Sequence, residues 1–386
     1  MEIKNKIQHK MLVNRLIERS YQVINNIKTI SNRSQESGLR ATRYQLIMLI
    51  LLSIIICSCY SIESDCGDNG EIPIDPGPLL ENGFWEYTGG PRYVESISVA
   101  NNGDIWVGGI GFGIFLSTDN GDTWVEKNNG LQTGAIGSIA VSPINGYIFA
   151  GTAVKGVFRS TDGGENWVKV TNDMEVRDIL ITTSGEIYFG SAQFGGTGKL
   201  YYSNDNCDTW IDKGNGLWTN YNVFIMGLFA MGTDGTLYVG AHRGVYRSTN
   251  GGDTWLPPSN HTSVQINELT ISGDGSIFAA ASETGVIKST NSGDTWNQVN
   301  TGIGGGYANR IIYNPITKDI FVSFGSRIFR STNLGTSWEL ENIGFPKYPN
   351  GVSAEEFAFN PNTGQMYVAT MGGVYRSKNY PYQFSS

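Results

Sequence analysis

Short apolar runs separated by turn-forming clusters dominate the chain from residue 84 onward. A representative pair is Tyr93–Ala100 and Asp104–Gly108, which are joined by Asn101-Asn-Gly. Runs rich in Val, Ile and aromatic residues, bounded by Gly, Asn, Asp and Ser, are typical of β-strands connected by tight hairpins. The same pairing recurs along the chain, so the pattern predicts an all-β fold.

One eight-residue phrase occurs six times between such strands, and we call each copy an octapeptide turn. The copies are Ser117–Trp124, Ser160–Trp167, Ser203–Trp210, Ser248–Trp255, Ser289–Trp296 and Ser331–Trp338. Their first residues are 43, 43, 45, 41 and 42 positions apart. Two strands precede each hairpin, which gives four strands per repeat. A period of about 40–50 residues with this content predicts the blades of a β-propeller.

The residue types of the octapeptide turn suit a hairpin loop. We expect the Asp or Asn at its third position to accept a hydrogen bond from the backbone two residues on. The Gly at its fifth position supplies a positive φ, and the Trp offers a large apolar face with an N–H that needs a partner. Cys207 replaces this Gly in the third copy. The sequence therefore predicts backbone strain at Cys207.

The two ends of the repeat region complement each other. The seventh repeat has three strand-like runs, which lie within Glu355–Ser377, and lacks its fourth strand, whereas Phe84–Tyr87 precedes the first full repeat as an orphan strand. Pairing the orphan strand with the last repeat would close the ring and remove two exposed sheet edges. We therefore expect residues 84–386 to form seven four-stranded blades, with the N-terminal strand completing the last one.

The octapeptide turn resembles the Asp-box, or BNR repeat, Ser-x-Asp-x-Gly-x-Thr-Trp. This repeat is found in propellers of sialidases, sortilin-type receptors, xyloglucan-active glycosidases and photosystem assembly factors. The resemblance implies a propeller whose octapeptide turns lie on the face away from the ligand. It implies no particular chemistry, because these families share the turn and not an activity.

The residues before the propeller predict an exported protein. Residues 1–45 form a polar, basic lead, residues 46–59 an apolar segment that ends at Cys59, and residues 60–83 an acidic tether rich in Gly and Pro. The apolar segment resembles a signal peptide, and Cys59 resembles the lipidation site of bacterial lipoproteins. We expect a lipid anchor in the cell envelope, at the outer membrane or cell surface; a short uncleaved anchor is the alternative.

Charge and cysteine content limit the partners. The formal net charge is −8 and no basic stripe is present, so nucleic acid is not an expected partner. His and Cys spacing predicts neither a metal site nor a cofactor. Two arrangements of Cys66 and Cys207 stay open: a disulfide in an oxidising compartment, or two free thiols.

The loops between strands two and three of each blade, and those between successive blades, share one face of a propeller, which we call the loop face. Binding residues concentrate on such loops. The candidates for ligand binding there and at the channel mouth are Arg177, Trp218, Tyr221, His242, Arg243, Tyr307, Arg310 and Arg327. Charged residues also gather where the innermost strands begin. Among these, the candidates for catalysis are Asp178, Glu268, Glu355 and Glu356, with a salt-bridged channel lining as the alternative.

Binding without catalysis is the function that the sequence favours. We expect the loop face to recognise a protein or a glycan, or to hold a membrane complex as an assembly factor. A glycoside hydrolase of the xyloglucanase or sialidase type is the alternative. A sialidase would need three arginines for its substrate. Four arginines of the repeat region directly precede an octapeptide serine, or Ser377 at the equivalent place in the seventh repeat, and are assigned to the scaffold: Arg159, Arg247, Arg330 and Arg376. Five others could still supply such a set: Arg92, Arg177, Arg243, Arg310 and Arg327.

Overall fold

The computed structural model describes residues 83–192, 199–215, 217, 228–241, 244–256, 264–345 and 353–378. These residues form 27 β-strands and no helix. They accordingly include no helical segment that is long and apolar enough to cross a membrane. The strands build seven antiparallel sheets arranged as the blades of a propeller, which confirms the predicted fold.

Blades one to three each contain four strands in chain order, from the innermost to the outermost. Blade one contains β2 (Val94–Val99), β3 (Ile105–Gly109), β4 (Gly113–Ser117) and β5 (Val125–Glu126). Blade two contains β6 (Ile136–Val141), β7 (Ile148–Thr152), β8 (Val157–Ser160) and β9 (Val168–Lys169). Blade three contains β10 (Glu175–Ile181), β11 (Ile187–Ala192), β12 (Lys199–Ser203) and β13 (Ile211–Asp212).

Blades four to six repeat this order. Blade four contains β14 (Leu228–Met231), β15 (Leu237–Ala241) and β16 (Gly244–Ser248). At the position of a fourth strand, Leu256 forms an isolated antiparallel bridge with Arg247. Blade five contains β17 (Ile266–Ile271), β18 (Ile277–Ala281), β19 (Gly285–Ser289) and β20 (Asn297–Gln298). Blade six contains β21 (Ile311–Tyr313), β22 (Ile320–Phe324), β23 (Arg327–Ser331) and β24 (Glu339–Leu340).

Blade seven joins the two ends of the repeat region, as the sequence predicted. It contains β25 (Ala354–Phe359), β26 (Met366–Thr370), β27 (Gly373–Ser377) and, as its outermost strand, β1 (Trp85–Tyr87). Strand β1 runs antiparallel to β27, with Trp85 opposite Ser377 and Tyr87 opposite Tyr375. The ring is thus closed by three residues, of which the central one, Glu86, lies 290 positions from its partner Arg376 along the chain.

Trp85 takes the place of the missing seventh octapeptide tryptophan. In blades two, three, four and six, the indole N–H of this tryptophan donates to the carbonyl of the third residue after the preceding blade's tryptophan; Trp167, for example, donates to Lys127 at 2.7 Å. Trp85 donates to the equivalent carbonyl, that of Glu341, at 2.8 Å. Its side chain is 1% exposed. One residue of the closing strand therefore restores the contact between blades six and seven.

The core lies between blades. The second strands β3, β7, β15, β18, β22 and β26 are buried along their whole length. At the closing seam, Val94 and Val107 of blade one pack in one cluster with Tyr367 and Val374 of blade seven. Because each blade buries its apolar faces against its neighbours, the burial is complete only in a closed ring.

The octapeptide turn is held by its own side chains. In all six copies, the first serine Oγ accepts a hydrogen bond from the N–H of the fifth residue, as from Gly121 to Ser117 at 2.8 Å. The third side chain accepts from the N–H four residues on, as Asp119 does from Thr123 at 2.8 Å, and not from the expected position two residues on. Cys207 has a φ of 75°, which places this non-glycine residue in the left-handed region, as expected from its replacement of Gly.

Basic side chains connect each turn to the preceding blade. Arg159 reaches the next octapeptide turn, where it donates to the carbonyl of Asn206 and pairs with Asp208. Equivalent contacts join Arg247 to Ser292 and Asp294, Lys288 to Leu334, and Arg376 to Asn120 and Asp122. Arg330 pairs with Asp319 of its own blade at 2.7 Å. These arginines therefore occupy scaffold positions.

The two tryptophans at the closing seam should differ in their effect on stability. We expect Trp85→Phe to lower the free energy of unfolding by about 1–2 kcal/mol more than Trp124→Phe does. The Trp85 change leaves the Glu341 carbonyl without its donor, whereas the buried Trp124 Nε1–H has no hydrogen-bond partner to lose. Urea unfolding of both variants measures the difference; an equal loss, or a larger one for Trp124→Phe, would contradict this account of the seam.

Candidate functional site

The innermost strands are interrupted by β-bulges near their first residues. The pairing register shifts at this point in five blades: between Val94 and Ser96, Ile136 and Ser138, Val176 and Ile179, Ile266 and Glu268, and Ala354 and Glu356. A bulge inserts one residue and redirects its side chain. Glu95, Arg177 and Glu355 lie at such positions. The bulges therefore bring charged side chains to the axis of the propeller.

A cavity of about 370 Å³ lies at this axis. Five carboxyl groups and two guanidinium groups line it: Glu95, Asp178, Glu268, Glu355 and Glu356, with Arg177 and Arg310. Apolar lining comes from residues such as Ile110 and Phe229. Ile110 belongs to the connection between strands two and three of blade one, so the cavity opens on the loop face. The structure thus brings together all four catalytic candidates and two of the binding candidates, and we call this space the axial cavity.

Three of these carboxylates connect the innermost strands of successive blades. Asp178 accepts a hydrogen bond from the Phe229 N–H at 3.2 Å, and Glu268 accepts one from the Ile311 N–H at 2.7 Å. Across the closing seam, Glu356 of blade seven accepts one from the Ile97 N–H of blade one at 2.9 Å. Each carboxylate thus uses one oxygen to hold the ring together.

Arg310 lies among the three inner carboxylates and also connects blades. Its Nε–H donates to the backbone carbonyl of Glu355, and its Nη1–H donates to that of Asn267 at 3.4 Å. These two acceptors belong to the blades on either side. The guanidinium is therefore fixed by backbone carbonyls while its charge acts on the nearby acids.

Burial dominates the acid–base behaviour of the axial cavity. It raises the pKa of Glu268 to about 7, although the positive charge of Arg310 opposes the shift. It also raises the pKa of Asp178 well above its ordinary value, with repulsion from Glu356 as the next cause. The pKa values of Glu356 and Glu95 are raised as well, again chiefly by burial. Burial and crowding thus favour the protonated forms of these carboxyls.

Two further binding candidates, Tyr307 and Arg327, lie away from the axial cavity. Tyr307 is 54% exposed, and the Arg327 guanidinium lies over the ring of Phe329; neither lines the axial cavity. Trp218, Tyr221, His242, Arg243 and Cys59 lie outside the described residues. The sequence patterns did not predict the apolar contributors Ile110 and Phe229. Their only signal was their place at loop-face ends of strands.

Cys207 is a buried free thiol whose pKa is raised by burial. Its proposed disulfide partner, Cys66, lies outside the described residues. Within the described part of the chain, no three His, Cys, Asp or Glu side chains form a group that could hold a metal ion.

No family profile matches the chain, and no curated protein is significantly similar to it in sequence. Solved structures are similar in fold. They include the GH74 enzyme of Niastella koreensis (TM-score 0.59, 16% identity, 76% of this chain and 53% of that one). They also include YCF48 bound to D1 peptide, with a TM-score of 0.58, 16% identity and coverage of 78% of this chain and 99% of that one. The extracellular domain of the putative hybrid two-component system BT3049 of B. thetaiotaomicron matches with a TM-score of 0.59, 14% identity and coverage of 76% of this chain and 41% of that one.

These similarities define the class of protein, a seven-bladed β-propeller. Identities of 14–16% establish the fold alone. The chain spans about half the length of the GH74 enzyme that it matches. In total, 1259 solved chains match significantly, and a fold this widespread selects no single function.

Removing the Glu268 charge should stabilise the protein at alkaline pH. A carboxyl whose folded pKa is raised binds more protons in the folded state, so its ionisation costs stability as the pH rises through about 7. Glu268→Gln retains an oxygen acceptor for the Ile311 N–H but carries no charge. We expect its free energy of unfolding to exceed that of the wild type by about 1–3 kcal/mol at pH 8, with the difference shrinking towards pH 5.

Urea unfolding at several pH values measures this difference. Glu283→Gln, which changes an exposed carboxylate outside the axial cavity, is the matched control. A Glu268→Gln variant that is less stable than the wild type at pH 8 would show that the ionised form is the favoured one.

Proposed function

We propose that this protein is a non-catalytic binding protein of the bacterial cell envelope, which recognises a segment of another protein on its loop face. The observation that carries the proposal is the use of Asp178, Glu268 and Glu356 as acceptors for backbone N–H groups of neighbouring blades. The carboxylates of the axial cavity thereby have a structural role, which suits a rigid binding site.

A glycosidase makes different demands on its carboxyl groups. It needs one carboxylic acid to protonate the leaving group and a second carboxylate to attack or to activate water, one on each side of the scissile bond. In the axial cavity, the three innermost carboxylates each hold a backbone N–H of the following blade. Moving any of them towards a substrate would break a contact between blades. This cost favours binding over catalysis.

The nature of the structural neighbours supports a peptide ligand. The structure of YCF48, of which this chain covers 99%, holds a D1 peptide, whereas the GH74 enzyme extends well beyond the matched region. A propeller of this size is therefore sufficient for peptide binding in a neighbour. The Asp-box resemblance agrees with a ligand on the loop face, because it implies that the octapeptide turns lie on the face opposite the ligand.

The proposal includes a lipid anchor at Cys59. The apolar segment before this residue and the acidic tether after it, both read from the sequence, support the assignment. Radioactive palmitate should label the wild-type protein in bacterial cells and not Cys59→Ala. Equal labelling of both would remove Cys59 from the proposal without affecting the binding function.

Glycoside hydrolysis is the second candidate, and one observation favours it. Burial holds the pKa of Glu268 at about 7, in the range of a general acid that works near neutral pH. Xyloglucan and sialyllactose are suitable test substrates. Hydrolysis of either that Glu268→Gln abolishes would replace the binding proposal with an enzymatic one.

Binding arrays test the main proposal. We expect the purified full chain to bind a subset of spots on an array of random nine-residue peptides, to bind no glycan on a glycan array, and to hydrolyse neither test substrate. A denatured sample of the same chain controls for non-specific adhesion. Binding confined to glycans, or to neither array, would contradict a protein ligand.

A further inference from the structure

An exposed apolar surface borders the axial cavity at the seam between blades seven and one. It consists of Tyr93, Ile110 and Met371, which are 52%, 40% and 36% exposed. Backbone hydrogen bonds hold them together: the Tyr93 N–H donates to Met371 at 2.9 Å, and the Ile110 N–H donates to Tyr93 at 3.1 Å. Ile110 also lines the cavity, so the two features are continuous. We call these three residues the apolar shelf.

Tyr93 adopts a costly backbone conformation. Its φ is 62°, in the left-handed region, where a bulky side chain is unusual. Half of the side chain is exposed, so burial in the core offsets little of this cost. Strained residues of this kind cluster at ligand sites. The strain at Tyr93 therefore supports a ligand contact at its exposed ring.

The charge of the axial cavity defines the complementary ligand. Five carboxyl groups face two guanidinium groups there. Both guanidinium groups have partners, since Arg310 donates to two backbone carbonyls and Arg177 pairs with Glu175. As the pH rises and these acids ionise, with a pKa of about 7 for Glu268, the recess gains an excess of negative charge, which attracts a cation. The volume lies at the lower end of the range for ligand pockets, which suits one side chain rather than a large ligand.

We propose that the apolar shelf and the axial cavity together bind a peptide segment of another protein through two neighbouring side chains. A lysine or arginine side chain enters the cavity, and an adjacent aliphatic or aromatic side chain lies on the shelf. This inference rests on the proposed function and names its ligand class. Neutral glycans lack the cation, and acidic glycans and anionic lipid headgroups carry the charge that the cavity repels.

A library of random nine-residue peptides, probed with the full chain, tests the ligand class. We expect the enriched peptides to carry a lysine or arginine next to an apolar residue. The most enriched lysine peptide, resynthesised with norleucine in place of lysine, should bind at least about tenfold more weakly. Peptides bound without this preference would overturn the inference but not the proposed function, whereas a failure to bind any peptide would overturn both.

Two pairs of variants locate the contacts. Glu356→Gln keeps an oxygen acceptor for Ile97 and should weaken binding of the enriched peptide about fivefold or more, whereas Glu283→Gln, outside the cavity, should not. Tyr93→Asn should weaken binding by a similar factor without lowering the melting temperature, since Asn tolerates the left-handed region. Ile144→Asn, at an exposed apolar residue between β6 and β7 on the opposite face, is its control. Equal effects within either pair would contradict the assigned surface.

The pH dependence of peptide binding gives an independent readout. The charged groups that face the cavity are Glu95 on β2, Arg177 and Asp178 on β10, Glu268 on β17, Arg310 before β21, and Glu355 and Glu356 on β25. The acids with raised pKa values lose their protons as the pH rises, so affinity for the lysine peptide should increase from pH 5.5 to pH 8. An affinity that is constant or falls over this range would contradict entry of the cation into the cavity.

Discussion

Closure of the ring by a three-residue strand is the constraint on which the other features depend. Blade seven lacks an outermost strand of its own until Trp85–Tyr87 pairs with β27. Contacts between neighbouring blades then become complete around the whole ring, including the hydrogen bond from Ile97 to Glu356 and the ion pair between Arg376 and Asp122. The floor of the axial cavity exists only in this closed form, because its lining residues come from different blades. The strand pairing that closes the ring therefore determines both the stability of the propeller and the geometry of the candidate site.

The inner carboxylates serve two purposes that oppose each other. As acceptors of backbone N–H groups they join blades, and as crowded, half-buried acids they resist ionisation. Glu268 shows both effects, with a 2.7 Å hydrogen bond from Ile311 and a pKa near 7. A protein can tolerate a buried carboxylate of this kind when a bound ligand of opposite charge offsets the cost of its ionisation. A cationic partner would compensate for the cost of this buried charge.

The octapeptide spacing and the strand patterns were sufficient to predict the seven blades and the closing strand. Two finer features were beyond them. The sequence does not reveal that Trp85 assumes the role of an octapeptide tryptophan, because the other seven residues of that turn are not contiguous with it. The inner bulges shift the register, so the facing direction of Asp178 or Glu356 cannot be read from simple alternation. The strain at Tyr93, a lone residue in a loop, has no sequence signature.

The placement of the closing strand also determines on which face of the propeller Gly83 and Lys378 lie. Lys378 donates its N–H to Phe84 at 2.7 Å, so the chain enters and leaves blade seven side by side, next to the octapeptide turns. The axial cavity opens at the other end of the same strands. Gly83 and Lys378 therefore lie on the face opposite the mouth of the axial cavity, and neither stands in the path of a ligand that approaches the cavity.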